Sequence, residues 1–149
     1  MTPDNTTQAP GLPEDLICFA AYSVSHAFNQ VYRPLLDDIG LTYPQYLVML
    51  LLWRGDDRTV KEIGQAMHLE SNTLTPMLKR LEAIGLVKRA RGTSDERVVR
   101  VKLTQAGVEK QKAAEHIPSC VARATGLEAE DLSKLAQTLE DLRAQLTKA

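Results

Sequence analysis

The chain is poor in aromatic residues, with one tryptophan, four tyrosines and two phenylalanines among 149 residues. Its three histidines (26, 68, 116) and two cysteines (18, 120) are too scattered to match a metal-ligand spacing. No metal and no cofactor is therefore expected, and a disulfide scaffold is ruled out by count. No apolar run approaches the ~18 residues a membrane span needs, and YLVMLLLW (46–53) falls far short. The N-terminus has no basic region followed by an apolar core, so no export is expected. The thiols should then be reduced and the chain cytoplasmic. The net charge of −1 gives no overall bias towards a polyanion or a membrane surface. At 44% hydrophobic and 25% charged, the chain is of ordinary globular composition and long enough for one real core.

The most informative stretch runs from Thr59 to Leu103. TVKEIGQAM reads as a helix with Thr59 as N-cap and Val60, Ile63 and Met67 at helical spacing. HLES is a short turn. A second helix covers about Asn72 to Ile84, with Leu74, Met77, Leu78, Leu81 and Ile84 on one side. Its other side carries Asn72, Thr75, Pro76 and Lys79, flanked by Thr73 and Arg80, a small, polar, cationic face suited to a major groove. Pro76 sits awkwardly in a helix that begins at Asn72; a start nearer Thr73 or a slight bend removes the conflict. LVKRAR and RVVRVKL then read as strands joined by the turn-prone GTSDE.

Two amphipathic helices and a hairpin also fit plain scaffold. Charge placement favours a nucleic-acid reading. Residues 79–102 hold eight Lys/Arg against three acids, a local +5, while the rest of the chain carries −6. A focused basic patch on an acidic protein is an electrostatic footprint. The expected fold is mainly α with a small β wing, a winged helix-turn-helix (59–103) that binds double-stranded DNA. Thr73, Thr75, Pro76 and Lys79 are the candidate groove contacts. Arg80, Arg91 and Arg97 are assigned to phosphates or the minor groove.

Around this unit, residues 1–13 are polar with three prolines and read as a tail, leaving 14–149 as a single unit. A helix is expected from Glu14 or Asp15 to just before Pro34 (14–33), with PLLDDIG as a connecting turn. Thr42 opens the next helix with Gln45 as capping-box partner and Pro44 in its first turn. YLVMLLLW is apolar on all sides, so that helix should be central and buried; Gly55 ends it, and RGDDR is a solvated link. Thr104 can cap a helix to about Thr125, interrupted or bent at Pro118, with Gly126 a C-cap. From Glu128, Leu132, Leu135, Leu139, Leu142 and Leu146 keep a 3-4-3-4 spacing. That seam either packs within the chain or pairs with a second subunit. The dimer is preferred here, with helices 14–33 and 104–147 forming the interface, because it also presents two reading heads to two half-sites.

The order of elements resembles the MarR family of dimeric bacterial regulators over nearly everything after the tail. SDERVVRVKLTQAG resembles that family's wing, with Asp95 and Arg97 matching its Asp-x-Arg. The resemblance implies that Asp95 braces the wing and Arg97 reaches the minor groove. LICFAAYSVSHAFNQVYRPLLDDIGLTYPQYLVMLLLW resembles the organic hydroperoxide-sensing (OhrR) branch more specifically. In that branch a peroxide-reactive cysteine near the start of the first helix is hydrogen-bonded by tyrosines. Cys18, Tyr32 and Tyr43 match those positions, Tyr22 matches a further pocket tyrosine, and Cys120 fits the resolving cysteine of some members.

The residues themselves bear on this chemistry. Cys18 falls in the first turn or so of its helix, where unpaired N–H groups favour a thiolate; an inert cysteine on an apolar face is the plainer alternative. Cys18 and Tyr32 are fourteen residues apart on one helix, ~21 Å along its axis, so a bond between them requires two subunits. The expectation is a repressor released from its operator when an organic hydroperoxide oxidises Cys18 and Cys120 of the partner subunit closes a disulfide. Alternatives are a MarR-type regulator of small phenolic ligands, a thiol peroxidase using the same two cysteines, and a nucleoid-type protein without sequence preference.

Overall fold

The fold is taken from a computed structural model that describes residues 11, 16–95 and 97–149. In chain order the elements are α1 (Ile17–Asp37), α2 (Tyr43–Arg54), β1 (Arg58–Thr59), α3 (Val60–Met67), α4 (Ser71–Ala83), β2 (Val87–Arg91), β3 (Val99–Leu103), α5 (Gln105–Ala114), α6 (Ile117–Ala124) and α7 (Ala129–Leu146). The tail and the proposed start at Glu14 or Asp15 lie outside the described residues.

The core forms around α2. Thr42 and Gln45 make the reciprocal capping box, which fixes the helix start, and Tyr46, Val48, Met49 and Leu52 are almost completely buried. Against them pack Ile63 of α3, Leu74, Leu78 and Leu81 of α4, Val87 and Val101 of the sheet, and Ile117 of α6. The α2 helix is not buried on every side, however: Leu50 is 37% exposed. The sheet is antiparallel in the order β1-β3-β2, with Arg58 opposite Val101 and Arg89 opposite the same residue from the other side. Strand β1 is only two residues long and carries no alternation pattern to announce it.

Four expectations are corrected. First, α1 does not stop before Pro34 but continues to Asp37. One proline removes one backbone bond, and here the burial of Leu36 and a Schellman ending hold the last turn. Leu41 N–H donates to Leu36 C=O (3.1 Å) and Gly40 N–H to Asp37 C=O (3.2 Å), with Gly40 at φ 71°. Second, α4 starts at Ser71, so Pro76 lies well inside it rather than in a first turn. Buried Leu74 and Leu78 on either side of Pro76 keep the helix on course. Third, Ile84 is the C-cap of α4, 52% exposed, not part of the buried face. Fourth, RGDDR is no simple solvated link. Asp57, at φ 58°, accepts from Arg100 Nε (2.8 Å), and Asp56 accepts from Leu103 N–H (2.9 Å), tying the end of α2 to β3. The Arg100 guanidinium holds the Asp57 carboxyl below its usual range.

The helix after the wing is divided as Pro118 suggests. α5 ends at Ala114, and Pro118 occupies the first turn of α6, where its missing N–H costs nothing. Of the leucine seam of α7 only Leu132 is partly buried; among the described residues Leu135, Leu139, Leu142 and Leu146 stay 37–65% exposed.

Gly107 of α5 is a point of closest approach. A Cβ there would lie 2.1 Å from the Leu86 carbonyl oxygen and 3.2 Å from Leu103 Cδ2, and its own carbonyl accepts from Trp53 Nε1 (2.9 Å). Gly107→Ala is therefore expected to cost about 2 kcal/mol by forced overpacking. Thermal unfolding should show a melting temperature lower by roughly 4–8 °C; an unchanged value would mean that the α5–β2 contact is not tightly packed.

Candidate functional site

Three regions hold the residues singled out from the sequence. The first is α1. Cys18 is the second residue of the helix and is exposed, with its thiol free. Tyr22 lies one turn on, 69% exposed, stacked on His26 at a centroid distance of 6.4 Å. Tyr32 lies near the other end and belongs to a different group. Its ring meets Tyr43 at 4.7 Å and Tyr46 at 6.0 Å. The structure thus joins Tyr32 to Tyr43 but leaves both far from Cys18 of the same chain, and Tyr22 stands apart from them.

Tyr46 was missed by the sequence reading, although its spacing of three from Tyr43 on a helix places the two on one face. Burial disfavours the phenolate and so pushes the pKa of all three phenols up. Tyr43 and Tyr46 are shifted up, and Tyr32, with its two neighbours adding to the effect of burial, is pushed up to about 12. The hydroxyls are therefore protonated donors throughout the physiological range.

An apolar groove of about 560 Å³ runs along α1 from Ile17 and Ala20 past Val24 and Phe28 to Tyr32 and Tyr43, with Leu135, Leu139 and Leu142 of α7 as its other wall. Cys120 lies in the middle of α6, which packs on α1; its sulfur is free, half-buried, and accepts from Arg123 Nη2 at 3.5 Å. Arg123 carried no signal in the sequence that tied it to the cysteine beyond a spacing of three.

The other two regions form the reading head. Asn72, Thr73, Pro76, Lys79 and Arg80 are exposed on the outer face of α4, while Thr75 turns partly inward and its hydroxyl donates to the Ser71 carbonyl (2.7 Å). The wing tip is organised by Asp95, whose carboxylate accepts from the backbone N–H (3.0 Å) and Nε (3.3 Å) of Arg97. The Arg97 side chain is 92% exposed. Arg91 ends β2. The basic patch is partly neutralised from within. Glu82 of α4 accepts from both the backbone N–H and Nε of Arg89 (2.9 and 3.2 Å), and Asp57 pairs with Arg100 and Lys102. The Arg89 bonds hold the Glu82 carboxyl below its usual range. These bracing acids were invisible to a tally of charges.

The sequence profile of the family described as "Transcriptional regulator SarA/Rot" matches residues 30–114. The organic hydroperoxide resistance transcriptional regulator of Bacillus subtilis is 43% identical over 129 residues, covering 87% of this chain and 88% of that protein. Among solved structures, reduced AbfR bound to DNA superposes with a TM-score of 0.77 at 39% identity, covering 91% of this chain and 92% of that one. Disulfide-formed AbfR gives 0.66 at 46% identity, covering 85% and 88%; AbfR is a protein of Staphylococcus epidermidis. AbsC, a MarR family regulator of Streptomyces coelicolor, gives 0.80 at 25% identity, covering 96% and 100%.

The chain belongs to the MarR family of winged-helix transcriptional regulators. Within this MarR protein α3 and α4 are the helix-turn-helix, β2 and β3 the wing, and α1 and α5–α7 the helices outside the reading head. Among the described residues no helix is long and apolar enough to cross a membrane.

The tyrosine cluster gives this regulator a measurable signature. With an ionisation near 12, against the usual 10, Tyr32 favours the folded state while protonated. That contribution is complete below about pH 10 and is lost as the pH rises through about 12. An ultraviolet titration of the folded protein should therefore reach less than four tyrosinates at about pH 11 and recover the rest in denaturant. Tyr32→Phe should remove the largest part of the shortfall; a titration with four ordinary phenols would contradict the buried cluster.

Proposed function

We propose that this protein is a homodimeric repressor of operator DNA that senses organic hydroperoxides through Cys18. The observation that carries the reading is the layout of α1: a thiol exposed at one end, a protonated tyrosine pair at the other, and an open apolar groove between. Cys18 and Tyr32 are ~21 Å apart along the helix. Two α1 helices running antiparallel bring Cys18 of the partner subunit to Tyr32 and Tyr43. The exposed apolar residues of α1 and α7, including Ile17, Phe28, Leu135 and Leu139, are the surface such pairing covers.

On this reading Tyr32 and Tyr43 donate to the thiolate and to the peroxide. The thiolate attacks the terminal peroxide oxygen; an S–O bond forms, the O–O bond breaks, and the alkoxide takes a proton and leaves as the alcohol. The sulfenic acid then condenses with the Cys120 thiol of the partner subunit, forming the S–S bond and releasing water. A disulfide needs Cα atoms within about 7 Å. α6 is short and begins at a helix break next to Pro118, so it is the element able to shift Cys120 towards that distance. Movement of α6 against α1 displaces the heads that carry Asn72, Thr73, Thr75, Pro76, Lys79 and Arg80 and the wings that carry Arg91 and Arg97, with Asp95 as the brace.

Titration of the reduced protein with cumene hydroperoxide, followed on non-reducing gels and in a DNA-binding assay, tests this. A covalent dimer should appear as DNA binding is lost, Cys18→Ser should stay bound, and Cys120→Ser should stop at the sulfenic acid without a covalent dimer. DNA binding indifferent to peroxide would overturn the sensing mechanism in favour of a ligand-responsive regulator, and sustained turnover with a thiol reductant would favour a peroxidase.

A further inference from the structure

A second cleft, of about 580 Å³, opens on the other side of the tyrosines, between the C-terminal half of α1 and the start of α2. It is more polar than the apolar groove, although Leu36, Leu41 and Pro44 also line it. His26, Arg33 and Asp37 bring titratable groups to it, and Asn29 an amide. The two cavities share a wall made of Asn29, Tyr32 and Tyr43. A molecule that reacts at the tyrosine hydroxyls therefore has hydrocarbon surface on one side and a charged, hydrogen-bonding surface on the other. Arg33 is exposed and, among the described residues, forms no ion pair; Asp37, one turn further along α1, is not within ion-pair distance of it. Its guanidinium is thus available to an incoming anion, and its planar fork matches a carboxylate in two-point geometry.

We propose that this cleft is a carboxylate subsite, anchored by Arg33, that selects hydroperoxides bearing an acidic end over neutral ones. His26 and Asn29 add donors at its edge, and Asp37 sets an opposing charge that limits the attraction. The inference rests on the peroxide-sensing reading, because it concerns how the peroxide is oriented at the same tyrosines. With the carboxylate held at Arg33, the hydroperoxide group is turned towards Tyr32 and Tyr43 and the remaining hydrocarbon towards the apolar groove. Reaction at Cys18 follows the same steps as for any hydroperoxide, so the subsite acts on capture and orientation.

The test compares three probes on the reduced full-length protein: a long-chain fatty acid hydroperoxide, its methyl ester, and cumene hydroperoxide. The readout is the second-order rate of Cys18 oxidation by mass spectrometry, expressed as the acid-to-ester ratio within each variant. The ratio should be about fivefold in the native protein, in keeping with a partly solvated charge contact. It should fall towards one in Arg33→Gln, fall part of the way in Arg33→Lys, which keeps the charge but loses the fork, and rise in Asp37→Asn. A native ratio of one, or a ratio unmoved by Arg33→Gln, would overturn the subsite. If cumene hydroperoxide still oxidises Cys18 and releases DNA in that case, the sensing reading stands without it. If no hydroperoxide oxidises Cys18, the sensing reading fails and the subsite falls with it.

Discussion

The burial of α2 is the constraint on which the rest of the molecule depends. Tyr46, Val48, Met49 and Leu52 have almost no contact with solvent, and elements from both halves of the chain close over them. Each such side chain contributes on the order of 2 kcal/mol when removed from water. The helix also has two chemically distinct ends. Its N-terminus presents Tyr43 and Tyr46 to Tyr32, and its C-terminus leads into Asp56 and Asp57, which hold β3. A rod that cannot bend without opening the core therefore joins the tyrosine cluster to the wing.

What the chain leaves uncovered is as informative as what it buries. The apolar residues of α1 and the leucines of α7 line an open groove that no other element fills among the described residues. Ile17, Val24, Phe28, Leu135, Leu139 and Leu142 meet along one groove rather than being scattered singly. Cys18 follows Ile17, the first α1 residue lining that groove, so the proposed chemistry and the proposed subunit pairing concern the same helix. The more polar cleft beyond Tyr32 and Tyr43 gives the proposed peroxide site a direction.

Charge in the reading head is more selective than its sum implies. Glu82, Asp57 and Asp95 each engage an arginine of the patch, and these contacts are exposed or half-exposed, so they orient more than they stabilise. Arg89 and Arg100 serve to lock the wing to α4 and to the end of α2. The outer face of α4 and the tip of the wing remain outward, with Lys79, Arg80 and Arg97 exposed.

The sequence by itself determined the elements whose causes are local. The capping box at Thr42, the N-cap at Thr59, the interruption at Pro118 and the buried leucines of α4 depend on neighbours within four residues and were legible, whereas the helix ending at Gly40 was not, because the helix was expected to stop before Pro34. It also showed, through family resemblance, which cysteines and tyrosines to examine. Tertiary structure decided the rest. Pro34 and Pro76 remain inside helices because distant burial outweighs one lost backbone bond, and propensity cannot weigh that. Ile84 is exposed although its spacing puts it on the apolar face, because the chain turns at Gly85 before that face is covered. The grouping of Tyr46 with Tyr32, the pairing of Asp57 with Arg100 (43 positions apart) and the two cavities meeting at one tyrosine wall join residues far apart in the chain. No local pattern encodes such neighbours; only the packing of α1 and the wing against the two ends of α2 does.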